Sequence, residues 1–135
     1  MRIVFDTNVI VSALLTPGGT CDQVVSLVGA PALQPCVDGR LMAEYEEVLH
    51  RDVLPISTWE ADRQLDDLVS FAHTVAAMPL KVRLPHAGDL PFLEVAATAQ
   101  AVLVTGNLRH FPKKQRAGVR VVTPAELLDV LRERA

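Results

Sequence analysis

The chain has 135 residues, half of them hydrophobic and 21% charged, with a formal net charge of −3. That length suits one ordinary domain (residues 1–135) with a real core, and the composition excludes a disordered chain. A net negative charge argues at first against a nucleic-acid binder, because phosphate contacts need Lys and Arg. Sparse aromatics with abundant Ala, Val and Leu favour helices on a sheet over a small β-barrel. Cys21 and Cys36 show no CxxC spacing and no Cys/His cluster, so they read as small buried thiols of a reducing compartment. The opening Met-Arg-Ile-Val-Phe-Asp has no signal-peptide pattern, and the apolar stretch from Val9 to Leu15 is too short to span a bilayer. The expectation is a soluble, cytoplasmic protein that does not engage a membrane.

In chain order, Ile3-Val4-Phe5 reads as a strand covered on both faces, because no polar residue alternates with the apolar ones. Val9 to Leu15 reads as a first helix, stopped by Thr16-Pro17-Gly18-Gly19. Thr20 or Asp22 then caps a short helix to about Val28, and Leu33 to Val37 is a second strand. Asp38 caps a helix from Arg40 to His50, and Ser57 or Thr58 caps another, with Glu60 in its first turn, to about Ala72. Leu80 to Leu84 reads as a short extended segment. Asp89 precedes Leu90-Pro91, a helix opening that runs to about Gln100. Ala101 to Thr105 and Val119 to Val122 are further strands, and Thr123-Pro124 opens a last helix to about Arg134. Strands alternating with helices imply βαβ units around a parallel sheet, hence an α/β fold.

Open parallel sheets gather ligands at the carboxyl ends of their strands. Two such ends are polar here: Asp6-Thr7-Asn8 and Thr105-Gly106-Asn107. Asp6 and Asp89 each read either as a helix cap or as a functional acid. On the helix from Arg40 to His50, Leu41, Met42, Tyr45, Val48 and Leu49 form one apolar arc, and Glu44 borders it beside Val48. Glu44 therefore reaches inward or snorkels outward, whereas Glu46 and Glu47 lie in solvent. There is no GxGxxG, no Walker lysine loop and no nucleophile elbow, and the four histidines lack HExxH spacing, reading as surface residues. What remains is an oxygen-rich, thiolate-free set of residues, suited to a hard cation such as Mg²⁺ or Mn²⁺.

The segments Ile3-Val4-Phe5-Asp6-Thr7-Asn8-Val9, Glu44-Tyr45-Glu46-Glu47-Val48-Leu49, Asp89-Leu90-Pro91-Phe92-Leu93-Glu94-Val95-Ala96 and Val104-Thr105-Gly106-Asn107-Leu108 together resemble a PIN domain. More narrowly, the chain resembles the VapC-like toxin components of bacterial toxin–antitoxin pairs. The resemblance implies a PIN-like three-layer α/β/α fold with a central, mainly parallel sheet. It also implies a Mg²⁺- or Mn²⁺-dependent endoribonuclease that hydrolyses RNA phosphodiesters. Asp6, Glu44 and Asp89 match the first three acids and would bind the metal. Asn107 stands where a fourth acid is usual and would join the three as a catalytic residue that orients a ligand water or binds weakly, though its amide oxygen brings no negative charge. Asn8 and Thr105 would be polar helpers. His86-Ala87-Gly88-Asp89 departs from the Asp-Pro-x-Asp common in such relatives. A cognate antitoxin and a homodimer are the partners the resemblance implies.

The charge is unevenly distributed. Residues 1–94 carry thirteen acids against six Lys and Arg, whereas residues 95–125 carry no acid and five cations: Arg109, Lys113, Lys114, Arg116 and Arg120. The basic stretch begins just after Asn107 and reads as a solvated loop or as a place where RNA phosphates are held, chiefly by Arg109, Lys113, Lys114 and Arg116. Two rivals stand beside the nuclease reading. One is phosphotransfer at Asp6, for which the usual partner residues are missing. The other is a catalytically weak or inactive PIN-like module that binds RNA or a protein partner.

Overall fold

The computed structural model describes residues 1–134. Five parallel strands form the sheet: β1 (Arg2–Phe5), β2 (Gln34–Val37), β3 (His73–Thr74), β4 (Val102–Val104) and β5 (Val121–Val122), in the order β3-β2-β1-β4-β5. Among the described residues six α-helices flank them: α1 (Thr7–Leu15), α2 (Thr20–Val25), α3 (Gly39–Leu49), α4 (Thr58–Phe71), α5 (Leu90–Ala99) and, after the last strand, α6 (Pro124–Glu133). One layer is made by α1, α2 and α6, which pack on one another, and the other by α3, α4 and α5. The expected three-layer α/β/α architecture is what the chain adopts. No helix among the described residues is long and apolar enough to cross a membrane.

Ile3, Val4 and Phe5 are buried, as the unbroken apolar run requires of a central strand covered on both sides. Each such side chain contributes about 1.5–3 kcal/mol by leaving water. The helix ends follow local chemistry. Asp38 accepts from the Arg40 and Leu41 amides, and Ser57–Glu60 and Thr123–Glu126 form capping boxes. The short helix α2 differs from expectation: Gly19 precedes it without a side-chain cap, and the helix ends at Val25. Asp22 is drawn away from capping, accepting from the Gly18 amide and the Ser26 hydroxyl.

The extended segment expected at Leu80 to Leu84 forms no strand. Its neighbourhood is tied to α5 instead of to the sheet: the Met78 amide donates to Thr98 Oγ1 and the Leu80 amide to Glu94 Oε2, at 2.9 and 2.8 Å. With those amides partnered by side chains, no ladder is needed to satisfy them. The edge strand is β3, two residues long, pairing Cys36 with His73 and Val37 with Thr74.

Chain order reverses between β1 and β4. The path goes from β1 to β2 on one side, and later returns to β4 on the other. The crevice at the carboxyl ends of those two strands is where this class of sheet places its ligands.

Candidate active site

The register pairs Phe5 with Val104, so Asp6 and Thr105 emerge side by side at the carboxyl edge of the sheet. Both are buried. The Asp6 amide completes the ladder by donating to Val104 O at 2.8 Å. Asp6 stands at the N-cap position of α1, yet its carboxylate caps no amide there. Instead, Asp6 Oδ2 accepts from Thr105 Oγ1 at 2.8 Å and from Asn8 Nδ2 at 3.3 Å. Asn8 spans the two strand ends, since its Oδ1 accepts from the Gly106 amide at 3.1 Å. A side chain built on Gly106 would meet that same Oδ1 at 3.4 Å, so a small residue suits the crossing. The polar helpers expected at Asn8 and Thr105 thus converge on Asp6.

Glu44 comes from α3, whose apolar arc turns it inward as one side of the sequence reading had it. The buried Tyr45 anchors that helix by donating its hydroxyl to Phe5 O at 2.5 Å, directly at the end of β1. Glu44 Oε2 accepts from Thr7 Oγ1, the residue after Asp6. Asp89 ends a 3₁₀ turn (Ala87–Asp89) in front of α5 and, like Asp6, caps nothing with its side chain. Burial raises the pKa of Asp6 above its ordinary value; the Thr105 hydrogen bond opposes this and the nearby Asp89 charge adds to it. Burial likewise raises Asp89, against the pull of His110 and His86 and with a further push from Glu44. Asp89 thus lies near enough to Asp6 to raise it, and near enough to Glu44 to be raised by it.

Among the described residues, no three His, Cys, Asp or Glu side chains close on one point tightly enough to hold an ion as they stand. Two features nevertheless fit a divalent cation. The donors at the crevice are carboxylates and amide or hydroxyl oxygens, the chemistry of hard cations. In addition, Asp89 Oδ2 is shut off from solvent with the His110 ring 3.0 Å away and no well-formed hydrogen bond, a buried acceptor that a cation would also satisfy.

Asn107 does not join the three acids. Its Oδ1 accepts from the Arg109 amide at 3.3 Å, capping the 3₁₀ turn Leu108–His110, while its own amide donates to Thr105 Oγ1 at 3.0 Å. The basic residues divide. Arg109, Lys113 and Lys114 are exposed, and the two lysines border a groove of about 570 Å³ together with Arg83. Arg116 is turned inward, donating to Phe111 O at 2.8 Å. Arg120 lies just before β5, at the opposite end of the sheet from Asp6.

Sequence reasoning passed over Thr7 and Glu94, and it read His86 and His110 as surface residues. Glu94 sits buried in an otherwise apolar helix, bonded to Arg40 Nη1 and to the Leu80 amide, each at 2.8 Å. A lone acid among Phe92, Leu93, Val95 and Ala96 was the available signal, since a buried charge needs a partner. The His86 and His110 rings lie 4.3 Å apart, and His110 Nδ1 stands 3.0 Å from Asp89 Oδ2. Their separation of more than twenty residues hid that pairing, and spacing alone carried no signal for it.

Comparison with known proteins identifies the family and the fold. A family model described as "PIN domain" matches residues 2–109. No curated protein matches the chain in sequence. Among solved structures, a chain of VapBC2 from Rickettsia felis, bound to a DNA fragment from their promoter, aligns with TM-score 0.66 at 16% identity, covering 91% of this chain and 98% of that one. A chain of VapBC-1 from nontypeable Haemophilus influenzae aligns with TM-score 0.62 at 16% identity, covering 93% and 99%. A chain of FitAB bound to an IR36 DNA fragment aligns at 0.57 and 16%, covering 90% and 94%. At such identities the likeness is one of fold.

Proposed function

The chain belongs to the PIN domain family, and from that premise we propose that it is a metal-dependent endoribonuclease, the toxin component of a toxin–antitoxin pair. The reading is supported by the meeting of Asp6, Thr105 and Asn8 at the carboxyl ends of β1 and β4, with Glu44 bonded to the neighbouring Thr7. Asp6, Glu44 and Asp89 would hold a divalent ion, Mg²⁺ or Mn²⁺, directly or through water. Such an ion supplies positive charge to the scissile phosphate and lowers the pKa of water.

The remaining work falls to the chain. Thr105 and Asn8 fix the rotamer of Asp6, Thr7 fixes Glu44, and the buried strand ends beneath keep these acids from relaxing apart. Arg109, Lys113 and Lys114, with Arg83 beside the lysines, would hold RNA phosphates and position the strand without reading its bases. Asn107 supports the Thr105 turn and brings no charge of its own. Pairing with an antitoxin and with a second copy of the chain belongs to the same reading, as does a cytoplasmic location for RNA cleavage. It is supported by neighbours that carry two-protein names, VapBC and FitAB.

Cleavage of labelled single-stranded RNA with Mn²⁺ or Mg²⁺ tests the reading, against a chelator and against Asp6→Asn. The expected result is cleavage that both controls abolish. Cleavage that survives Asp6→Asn would come from another nuclease and would defeat the assignment. The neutral Asn107 favours one alternative, a module that binds RNA or a protein without cutting; RNA bound but intact at saturating metal would establish it.

A further inference from the structure

His86 opens the stretch His86-Ala87-Gly88-Asp89 that departs from the resembled pattern, and its ring caps no amide of the 3₁₀ turn it precedes. The residue is exposed, and its ring lies 4.3 Å from that of His110, centroid to centroid, at a 43° tilt. His110 is half-buried and is held in turn by Asp89, with Nδ1 3.0 Å from Oδ2. One open imidazole is thus backed by a second that is tied to an acid of the crevice.

Two stretches of chain lead between the basic groove and that crevice, and each passes through one of the rings. On the first, Arg83 and Pro85 line the groove, His86 follows, and Asp89 lies three residues on. On the second, Thr105 binds Asp6, His110 comes five residues later, and Pro112, Lys113 and Lys114 line the groove. On both, an aromatic ring separates cations suited to phosphates from acids suited to a metal.

We propose that His86 is a stacking platform for one unpaired nucleobase of the RNA, with His110 as its backing. The inference rests on the RNA-cleavage reading above and names where that strand's base is held. A strand laid from groove to crevice carries a base at every phosphate, and unpaired bases stack on aromatic faces, histidine included. Arg83, Lys113 and Lys114 hold the flanking phosphates, while the ring takes the base nearest the crevice. Every base has a π-face, so the platform tolerates any sequence. What it contributes is register: which phosphate comes to lie beside Asp6 and Asp89.

Fluorescence titration of the full chain, in chelator, with oligouridine carrying a single 2-aminopurine tests this. The free probe is weakly stacked, so quenching on binding reports a base laid against a ring. The parent should quench it. His86→Ala should lose that quenching and about tenfold in RNA affinity, whereas His86→Phe, which keeps an aromatic face, should retain both. The parent's quenching is read without any variant, so the proposal stays open to refutation even if a variant fails to fold. RNA bound by the parent without quenching, quenching that persists in His86→Ala, or equal losses in the Ala and Phe variants would overturn the proposal. Asp6-dependent cleavage in any of those cases would leave the nuclease reading standing. Absence of RNA binding and of cleavage would overturn both.

Discussion

Glu94 links the two elements that carry the second and third acids. It lies on α5, five residues after Asp89, and its partner Arg40 lies on α3, four residues before Glu44. Replacing Glu94 by Ala removes the acceptor of the Leu80 amide and of Arg40 Nη1. An amide left unsatisfied away from water costs about 1–3 kcal/mol. The Arg40 side chain is 47% exposed and keeps Asp38 as a partner, so losing the ion pair itself costs only up to about 1 kcal/mol. The total is about 1–4 kcal/mol, a large fraction of an ordinary domain's stability. With a urea slope of about 2 kcal/mol/M, the midpoint of unfolding followed by circular dichroism should fall by about 0.5–2 M. Glu94→Gln keeps an oxygen for the Leu80 amide and should cost less than about 1.5 kcal/mol. A Glu94→Ala change below about 0.5 kcal/mol, or a Gln variant as damaged as the Ala variant, would refute this role.

The raised acids of the site oppose stability in the absence of metal. An acid whose folded pKa lies above its unfolded value binds its proton more tightly when folded, so stability falls as pH rises from the ordinary 3.8 through the raised value. Asp6→Asn should therefore melt higher than the parent at pH 7 with chelator present, the gap narrowing toward pH 4; a gap independent of pH in thermal melts would contradict this. Lys113→Ala combined with Lys114→Ala should lower RNA affinity and reduce the slope of log affinity against log salt by about 1.4, as for two phosphate contacts. Arg120→Ala, at the far end of the sheet, should leave the slope unchanged, and equal effects of the two would dismiss the groove as the binding face. Asn107→Asp should raise Mn²⁺ affinity by about tenfold by adding a charge next to the site, and superimposable calorimetric isotherms would remove Asn107 from it.

Strands β1, β4 and β5 were legible from their apolar runs and β2 from Leu33 and the buried Cys36-Val37, while Asp38, Ser57 and Thr123 announced helices because a cap is a local event. Asp6 was legible for a related reason: a polar residue directly after such a run must leave the core at a sheet end. The short β3 was not legible, since His73 and Thr74 carry no apolar pattern and pair only because β2 offers an open edge. Leu80 to Leu84 looked like a strand because its residues suit one, and it is not one because α5 satisfies the neighbouring amides. The Arg40–Glu94 and His110–Asp89 contacts join residues far apart in sequence, and no periodicity records them. Arg120 shows the limit of charge counting along a chain, because one strand's length carries it to the other side of the molecule.

The hydrogen bond between Thr105 and Asp6 spans 99 positions of the chain. During synthesis at about 5–20 residues per second, roughly 5–20 s therefore separate the two ends of that contact. Until β4 arrives, β1 has no neighbour on one side, Asp6 has neither its threonine nor its asparagine bridge to Gly106, and Asp89 lacks His110. A chain that ends before residue 102 thus lacks the crevice altogether. Its polar contacts arrive together when residues 102–107 settle beside β1, so the surroundings of Asp6 wait on a segment made almost a hundred residues after it.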